Sequence, residues 1–459
     1  MKKSKRYFGT DGFRGEANVD LTSFQAYQIG RFLGWFYSQK KEGKKAKIVI
    51  GKDTRRSSYM LEYALSAGVT SSGADAYMLH VTTTPSVSYI ARVDDFDCGI
   101  MITASHNPYS DNGIKIVNQY GEKMDEKTIS LIEDYLNGNF ENLGIGEDVP
   151  FATKENIGEI IDYSSGRNRY IAYLISLVSF SFKDLKIGLD CANGASWMIA
   201  NAVFNALGAK TELIGVKPNG LNINKECGST SVENLCKLVK EKHLDFAFAF
   251  DGDADRCLAV DEKGNVVDGD KILFILANRL KRKGFLNKNK IVATVMSNSG
   301  LTKSLNKLGV EEIKTKVGDK FVYEAMQNND LSLGGEPAGH IIVKKYATTG
   351  DGILTALLLA EEICDTKISL YNLCKDVEIF PQYLINIKVQ NKEKVLDDEV
   401  VKHKISETEK LIGNNGKVVV RASGTESVIR IMVECENLEN CEIFAKNIEK
   451  IIKNRGFCE

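Results

Sequence analysis

Several features are scarce or missing in this chain, and each absence narrows what it can be. Proline is down to six residues in 459, and no low-complexity stretch interrupts the sequence. A basic excess is missing too: sixty lysines and arginines face sixty-one acidic residues, for a net charge of −1. That balance argues against a general nucleic-acid or anionic-membrane partner. The apolar stretch Tyr170–Phe182 stops at Lys183, short of the ~20 residues a membrane span needs. The basic start MKKSKR leads into YFGTDGFRGE, where a signal peptide would carry an apolar core. Cys458-Glu459 at the end does not fit a prenylation box. The expectation is a cytoplasmic protein. Ten cysteines occur, yet none form a CxxC pair or a Cys-His cluster of zinc spacing, so they read as reduced, small apolar fillers. No Walker A sequence, helix-opening GxGxxG or GxSxG elbow is present, so neither a bound nucleotide nor a hydrolase serine is implied.

What is present is a globular composition, 43% hydrophobic and 26% charged, over a length that predicts roughly three domains. Thr22 and Gln25 have capping-box spacing, and Ala26, Ile29, Leu33 and Phe36 follow at helical intervals, which predicts an early amphipathic helix. The lysine-rich stretches 40–47 and 281–290 read as solvated loops between helix and strand. A degenerate repeat organises the rest. KIVIGKDTR (47–55), KIGLDCANG (186–194) and KIVATVMSNSG (290–300) are short apolar runs, each followed by a helical stretch and then a glycine (Gly73, Gly208, Gly309). A second strand in each unit ends in a polar loop: DCGIMITASHNP (97–108), LDFAFAFDGDADR (244–256) and LSLGGEPAGH (331–340). The pattern predicts three related α/β domains with mixed, largely parallel sheets, whose ligands gather beyond the carboxyl ends of strands. KVVVRASGTESVIRIMVE (417–434) reads as strand, polar loop, strand, and predicts a smaller C-terminal α+β domain. We divide the chain at 1–152, 153–258, 259–370 and 371–459, around one central cleft.

The loops carry the chemistry. Asp251, Asp253 and Asp255 alternate in FAFDGDADRCLAVDE, a hard-oxygen set suited to Mg²⁺ or Ca²⁺, with a solvated acidic turn as the ordinary alternative. Glu262 gives EF-hand spacing, but Arg256 stands where that loop needs glycine, and the flanks are strand-like. Ser105 follows an apolar strand, with His106 and Lys115 near enough in sequence to move protons or supply charge. A turn-capping serine and a surface lysine are the ordinary alternatives. In RASGTESVIR, Arg421 and Arg430 flank Ser423, Gly424 and Thr425, as a phosphate-binding turn would require, although an ordinary hairpin turn has the same pattern. Glu336 and His340 lie among glycines in a loop that could meet sugar hydroxyls, and Arg14 lies between glycines in GTDGFRG. Together these describe phosphoryl transfer on a phosphorylated polyol.

With these residues in order, the chain resembles the α-D-phosphohexomutase superfamily. The likeness runs through GTDGFRG, GKDTR, TASHNP, FDGDADR, TKVGDK, GGEPAGH, TTGDG and RASGTE, covering nearly the whole sequence. TKVGDK and TTGDG favour its phosphoglucosamine branch over the phosphoglucomutase/phosphomannomutase one. The resemblance implies an intramolecular phosphotransferase that interconverts glucosamine 6-phosphate and glucosamine 1-phosphate through a 1,6-bisphosphate, serving cell-wall precursor synthesis. It implies phosphoserine at Ser105, with Mg²⁺ held by Ser105, Asp251, Asp253 and Asp255. Arg14, Lys115 and Arg256 would surround the reacting group, with Lys115 or His106 assisting proton transfer, while Glu336 and His340 would contact the sugar. Arg421, Ser423, Gly424, Thr425 and Arg430 would hold the other phosphate. Glucosamine 1,6-bisphosphate or glucose 1,6-bisphosphate would prime the enzyme, and a homodimer is consistent with the resemblance. Pro337-Ala338 stands where the family usually has Gln-Ser, Ala422 and Ser427 where prolines are common, and Phe13 where an aliphatic residue is more usual. The first departure bears on sugar preference, which leaves glucose or mannose phosphates as the second reading. A non-catalytic sugar-phosphate or Ca²⁺-binding protein is the third.

Overall fold

The three repeat runs form the inner strands of three sheets. In the computed structural model, which describes residues 5–41, 44–423 and 427–458, Lys47–Lys52 lies between Asp75–Val81 and Cys98–Ile102. Lys186–Asp190 lies between Lys210–Ile214 and Phe246–Phe250, and Lys290–Thr294 between Glu311–Thr315 and Leu333–Gly335. All these neighbours pair in parallel. Parallel pairing demands a crossover, and each unit supplies two helices for it. The first crossover helices are Arg56–Ser71, Ile199–Ala206 and Ser299–Lys307. Gly73, Gly208 and Gly309 follow them at φ of 89°, 95° and 65°, the left-handed turn that ends a helix and admits glycine most readily.

Each unit then adds one antiparallel strand. Cys98–Ile102 turns back into Asp111–Asn118, Phe246–Phe250 into Cys257–Asp261, and Leu333–Gly335 into Ile341–Val343. The loops carrying Ser105, the three aspartates, and Glu336 with His340 are therefore the same hairpin turn of the same unit, used three times. This is the physical content of the repeat.

Two short strands extend these sheets past the expected domain limits. Ile160–Asp162 pairs with Asp75–Val81 and completes the seven-stranded first sheet, and Val266–Val267 completes the five-stranded second. We propose that those two boundaries, expected at 152 and 258, lie after these strands. At the amino end, Phe8–Gly9 and Gly12–Glu16 form a hairpin laid against Asp111–Asn118. Phe13 packs there with Tyr7 and Phe8, at ring separations of 5.3 and 5.8 Å, which accounts for an aromatic residue in that motif. The helix Ser23–Ser38 starts at the expected capping box, with Ala26, Ile29 and Leu33 buried and Phe36 half-buried.

The C-terminal unit is a three-stranded antiparallel sheet, in the order Gln382–Lys388, Val428–Glu434, Lys417–Ala422, backed by Glu399–Ile412 and Leu438–Asn454. It has its own apolar core around Ile429, Ile431, Val433 and Ile448, whereas the second and third units share one. All ten cysteines are free. Among the described residues, no helix is long and apolar enough to cross a membrane.

Candidate active site

The serine hairpin is built to present one hydroxyl. Strand Cys98–Ile102 is fully buried, and the chain leaves it through Thr103, whose Oγ1 accepts the Ser105 N–H at 2.9 Å. Ser105 adopts φ of 50°, a left-handed backbone that a residue with a Cβ keeps only when its surroundings over-determine it. Its Oγ lies 2.5 Å from Asp251 Oδ2 and 3.2 Å from His106 Nδ1.

The aspartate hairpin meets it from the second unit. The apolar strand Phe246–Phe250 leads into Asp251, and Ala254 turns the loop at φ of 55°. Asp251, Asp253 and Asp255 are all buried, with one oxygen from each lying within 4.8 Å of the others. Gly252 between them has no room for a side chain: a Cβ there would stand 2.5 Å from the Ser105 carbonyl oxygen. Lys115, paired with Met101 in the serine hairpin, donates to Asp253 at 2.8 Å and Asp255 at 3.0 Å, with Asp11 at 3.6 Å.

The charges follow from this crowding. Burial, then Asp255 and Asp253, pushes the Asp251 carboxyl well above its ordinary range. Burial acts the same way on Asp255, but Lys115, His340 and Arg256 outweigh it and hold that carboxyl well below. For Lys115, burial is outweighed by Asp11, Asp253 and Asp255, so its pKa is raised well above the usual value and the ammonium stays charged. Burial, with Arg256 and Arg14, lowers His106 to about 4, leaving its imidazole neutral at pH 7.

The hairpin that carries Glu336 and His340 closes the third side. Arg256, which ends the aspartate loop, donates its N–H to Asp251 at 3.2 Å and faces Glu336 at 3.8 Å. His340 Nε2 accepts the Gly350 N–H at 3.0 Å, which leaves Nδ1 toward Asp255 at 3.8 Å. The TTGDG segment thereby orients the histidine, and Asp351 in it caps the helix Gly352–Thr366. Arg14 pairs with Asp11 and reaches Asn107 Oδ1 at 3.5 Å.

Three residues outside the expected set join this network. Asp11 binds Arg14, Lys115 and Lys123, and Lys123 bridges to Asp319 of TKVGDK at 2.6 Å. Asp319 in turn lies 3.9 Å from His340. A cavity of about 310 Å³ opens beside Asp11, Lys115, Lys123, Asp319 and His340, at the lower end of the range for small-molecule sites. Asp11 and Asp319 sit inside quoted motifs, but only the fold shows which cations they meet.

The fourth loop stands on its own sheet. Arg421 and Arg430 are directly opposite in the hairpin register, a like-charge pair that an anion between them would relieve. Burial, then Arg430, lowers the Arg421 guanidinium below its usual pKa. Ser423 is buried, and its carbonyl accepts from Lys392 at 2.7 Å. Gly424 and Thr425 lie outside the described residues. The hairpin is tethered at the end away from its loop. There Glu434 accepts the Ser299 N–H at 2.7 Å, and Lys417 donates to the Ser297 carbonyl.

The donor set fits a hard divalent cation. Asp253 Oδ1 and Asp255 Oδ1 are buried and accept no hydrogen bond, and an oxygen of the buried Asp251 lies within 4.8 Å of an oxygen from each. Hydrogen bonds and ion pairs thus bring Ser105, His106, Lys115, Arg14, the three aspartates, Arg256, Glu336 and His340 into one network.

Comparison with known proteins agrees with this arrangement. The four domains of the phosphoglucomutase/phosphomannomutase family match in order: alpha/beta/alpha domain I over residues 5–142, II over 168–264, III over 268–380, and the C-terminal domain over 384–451. A phosphoglucosamine mutase of Lachnospira eligens is 56% identical over 98% of this chain and 99% of its own. The chain belongs to the phosphoglucomutase/phosphomannomutase family. The phosphoglucosamine mutase of Bacillus pumilus is 43% identical, covering 98% of both chains. Among solved structures, a phosphoglucomutase/phosphomannomutase family protein from Burkholderia thailandensis superposes with a TM-score of 0.79 at 20% identity, covering 98% of each chain. The Aspergillus fumigatus N-acetylphosphoglucosamine mutase, solved with GlcNAc-6P and magnesium, gives 0.70 at 18% identity over 98% of this chain and 96% of that one. These two share the family's fold with the present chain.

Proposed function

We propose that this protein interconverts glucosamine 6-phosphate and glucosamine 1-phosphate, with Ser105 as the phosphoryl carrier. The observation that carries this reading is the Ser105 Oγ, 2.5 Å from Asp251 in a buried three-carboxylate cluster. Full-length relatives 43% to 56% identical and named phosphoglucosamine mutase support the choice of sugar. In the reaction, the bond from phosphorus to Ser105 Oγ breaks as one from phosphorus to a sugar hydroxyl forms, giving a 1,6-bisphosphate. Neutral His106 accepts the hydroxyl's proton. The intermediate turns over, and its other phosphoryl group returns to Ser105 while the proton goes back to the freed sugar oxygen. Lys115, Arg14 and Arg256 offset charge on the group in transit. Glu336 and His340 bind the ring, and Arg421, Ser423, Gly424, Thr425 and Arg430 hold whichever phosphate is not reacting. Mg²⁺ held by Asp251, Asp253, Asp255 and the serine oxygen would neutralise charge and activate phosphorus. Glucosamine 1,6-bisphosphate or glucose 1,6-bisphosphate would phosphorylate Ser105 at the start.

The second reading, preference for glucose or mannose phosphates, draws on Ala338, which is exposed in the sugar loop and brings no hydroxyl. Turnover of glucosamine 6-phosphate, glucose 1-phosphate and mannose 1-phosphate, with Mg²⁺ and bisphosphate, separates the two. A kcat/KM at least about tenfold higher for the amino sugar is the expected result, and preference for a neutral sugar overturns it. Ser105→Ala is expected to fold normally and to lose mutase turnover.

A further inference from the structure

The backbone that carries Ser105 is held by two side chains, one buried and one half-buried, with no assigned part in the reaction. Arg55, at the end of GKDTR, is fully buried, and its Nη1 pairs with Asp53. Its Nη2 donates to the carbonyl oxygens of both Ser105, at 3.2 Å, and Asn107, at 2.6 Å. Asn224 comes from a different unit, on the loop before Gly228, and its Nδ2 donates to the same two oxygens at 2.8 and 3.1 Å. Each carbonyl thus receives two donors, which uses both of its lone pairs. With the Ser105 N–H bound to Thr103, the serine is fixed on both sides.

We propose that Asn224 and Arg55 are positioning residues: together they clamp the Ser105 and Asn107 carbonyls and hold Ser105 in its left-handed conformation, aiming Oγ at the aspartate cluster. The inference rests on the reading of Ser105 as phosphoryl carrier. A serine at φ of 50° relaxes to a commoner backbone unless its surroundings prevent it. Asn224 supplies that restraint from across the unit boundary, because it belongs to the unit that bears the aspartates. The Gly252 Cα carries no side chain at the point where the Ser105 carbonyl and Asn224 Nδ2 meet it; a Cβ there would lie 2.5 and 3.1 Å from them. Serine loop and metal loop are thereby tied into one body. In both half-reactions Oγ must stand in line with the bond to phosphorus, so a loosened loop costs turnover and leaves phosphoserine exposed to water.

The test is Asn224→Asp, nearly isosteric and without donors, with Asn224→Ala beside it in case the new charge perturbs folding. Amide hydrogen exchange over residues 103–112 is expected to speed up by about tenfold or more. In the mutase assay, kcat is expected to fall roughly 10- to 100-fold with KM for the sugar phosphate within about threefold. Phosphate released per isomerisation should rise. Loss of folded protein alone would lower kcat without changing that ratio, so an unchanged ratio overturns the positioning role. Unchanged exchange in both variants overturns the clamp. A parent protein inactive on every sugar phosphate overturns the functional reading instead, and the exchange measurement then decides the clamp by itself.

Discussion

Gly252→Ala is the smallest change that tests how the two central hairpins fit. A Cβ at this position would stand 2.5 Å from the Ser105 carbonyl oxygen and 2.8 Å from Ile223 Cδ1. The isoleucine end can rotate; the carbonyl, held by Arg55 and Asn224, cannot. Ordinary C···O contacts lie near about 3.3 Å, so the loops must part by about 0.8 Å. Overpacking of this kind costs roughly 1–3 kcal/mol of stability in a core. At a site where a displacement of about 1 Å can cost ~100-fold in rate, the larger effect falls on catalysis. Steady-state kinetics with glucosamine 6-phosphate should show kcat lower by roughly 10- to 100-fold, with KM within about threefold. The Arg421 hairpin and the sugar loop are untouched, so binding is preserved. A variant with parental kcat would refute the close approach of serine and aspartate loops.

Other perturbations follow the same logic. Lys115→Met removes the ammonium from between Asp253 and Asp255; kcat should fall by about 100-fold or more, and Mg²⁺ should raise Tm more in the variant than in the parent. Arg421→Ala relieves the facing arginine pair, so Tm in the absence of ligand should hold or rise, while KM for the sugar phosphate should increase about tenfold or more. Asp270 is raised to about 7 by burial, despite accepting the Asn298 N–H. Its folded state holds a proton that the unfolded chain has lost, so its contribution to stability declines as pH rises from about 4 to 7. Asp270→Asn should therefore gain more stability over the parent at pH 8 than at pH 5 in denaturant titrations.

Much of this was legible in the sequence because it is local. The repeat units, their carboxyl-end loops and the alternating aspartates are set by apolar runs, glycines and turn residues within a few positions of one another. What could not be read is long-range. Nothing in LNINKECG tells that Asn224 reaches across 119 residues to Ser105, and nothing in GTDG tells that Asp11 meets Lys115 and Lys123. The edge strand Ile160–Asp162 is too short and too exposed to announce itself in the sequence as part of the first sheet. Lys115 read equally well as a surface lysine until the aspartate loop of another unit was folded against it. Gly252, between the aspartates, lets a foreign carbonyl come close, and nothing local to FDGDADR shows it.

The central claim is that Ser105 carries the phosphoryl group, and the most direct measurement is to trap it. The protein would be mixed with glucosamine 1,6-bisphosphate bearing labelled phosphate, quenched, and mapped by peptide. The account predicts label on the peptide containing Ser105, discharged by glucosamine 6-phosphate at least as fast as turnover. Label on another residue, or no enzyme-bound label during active turnover, would contradict it.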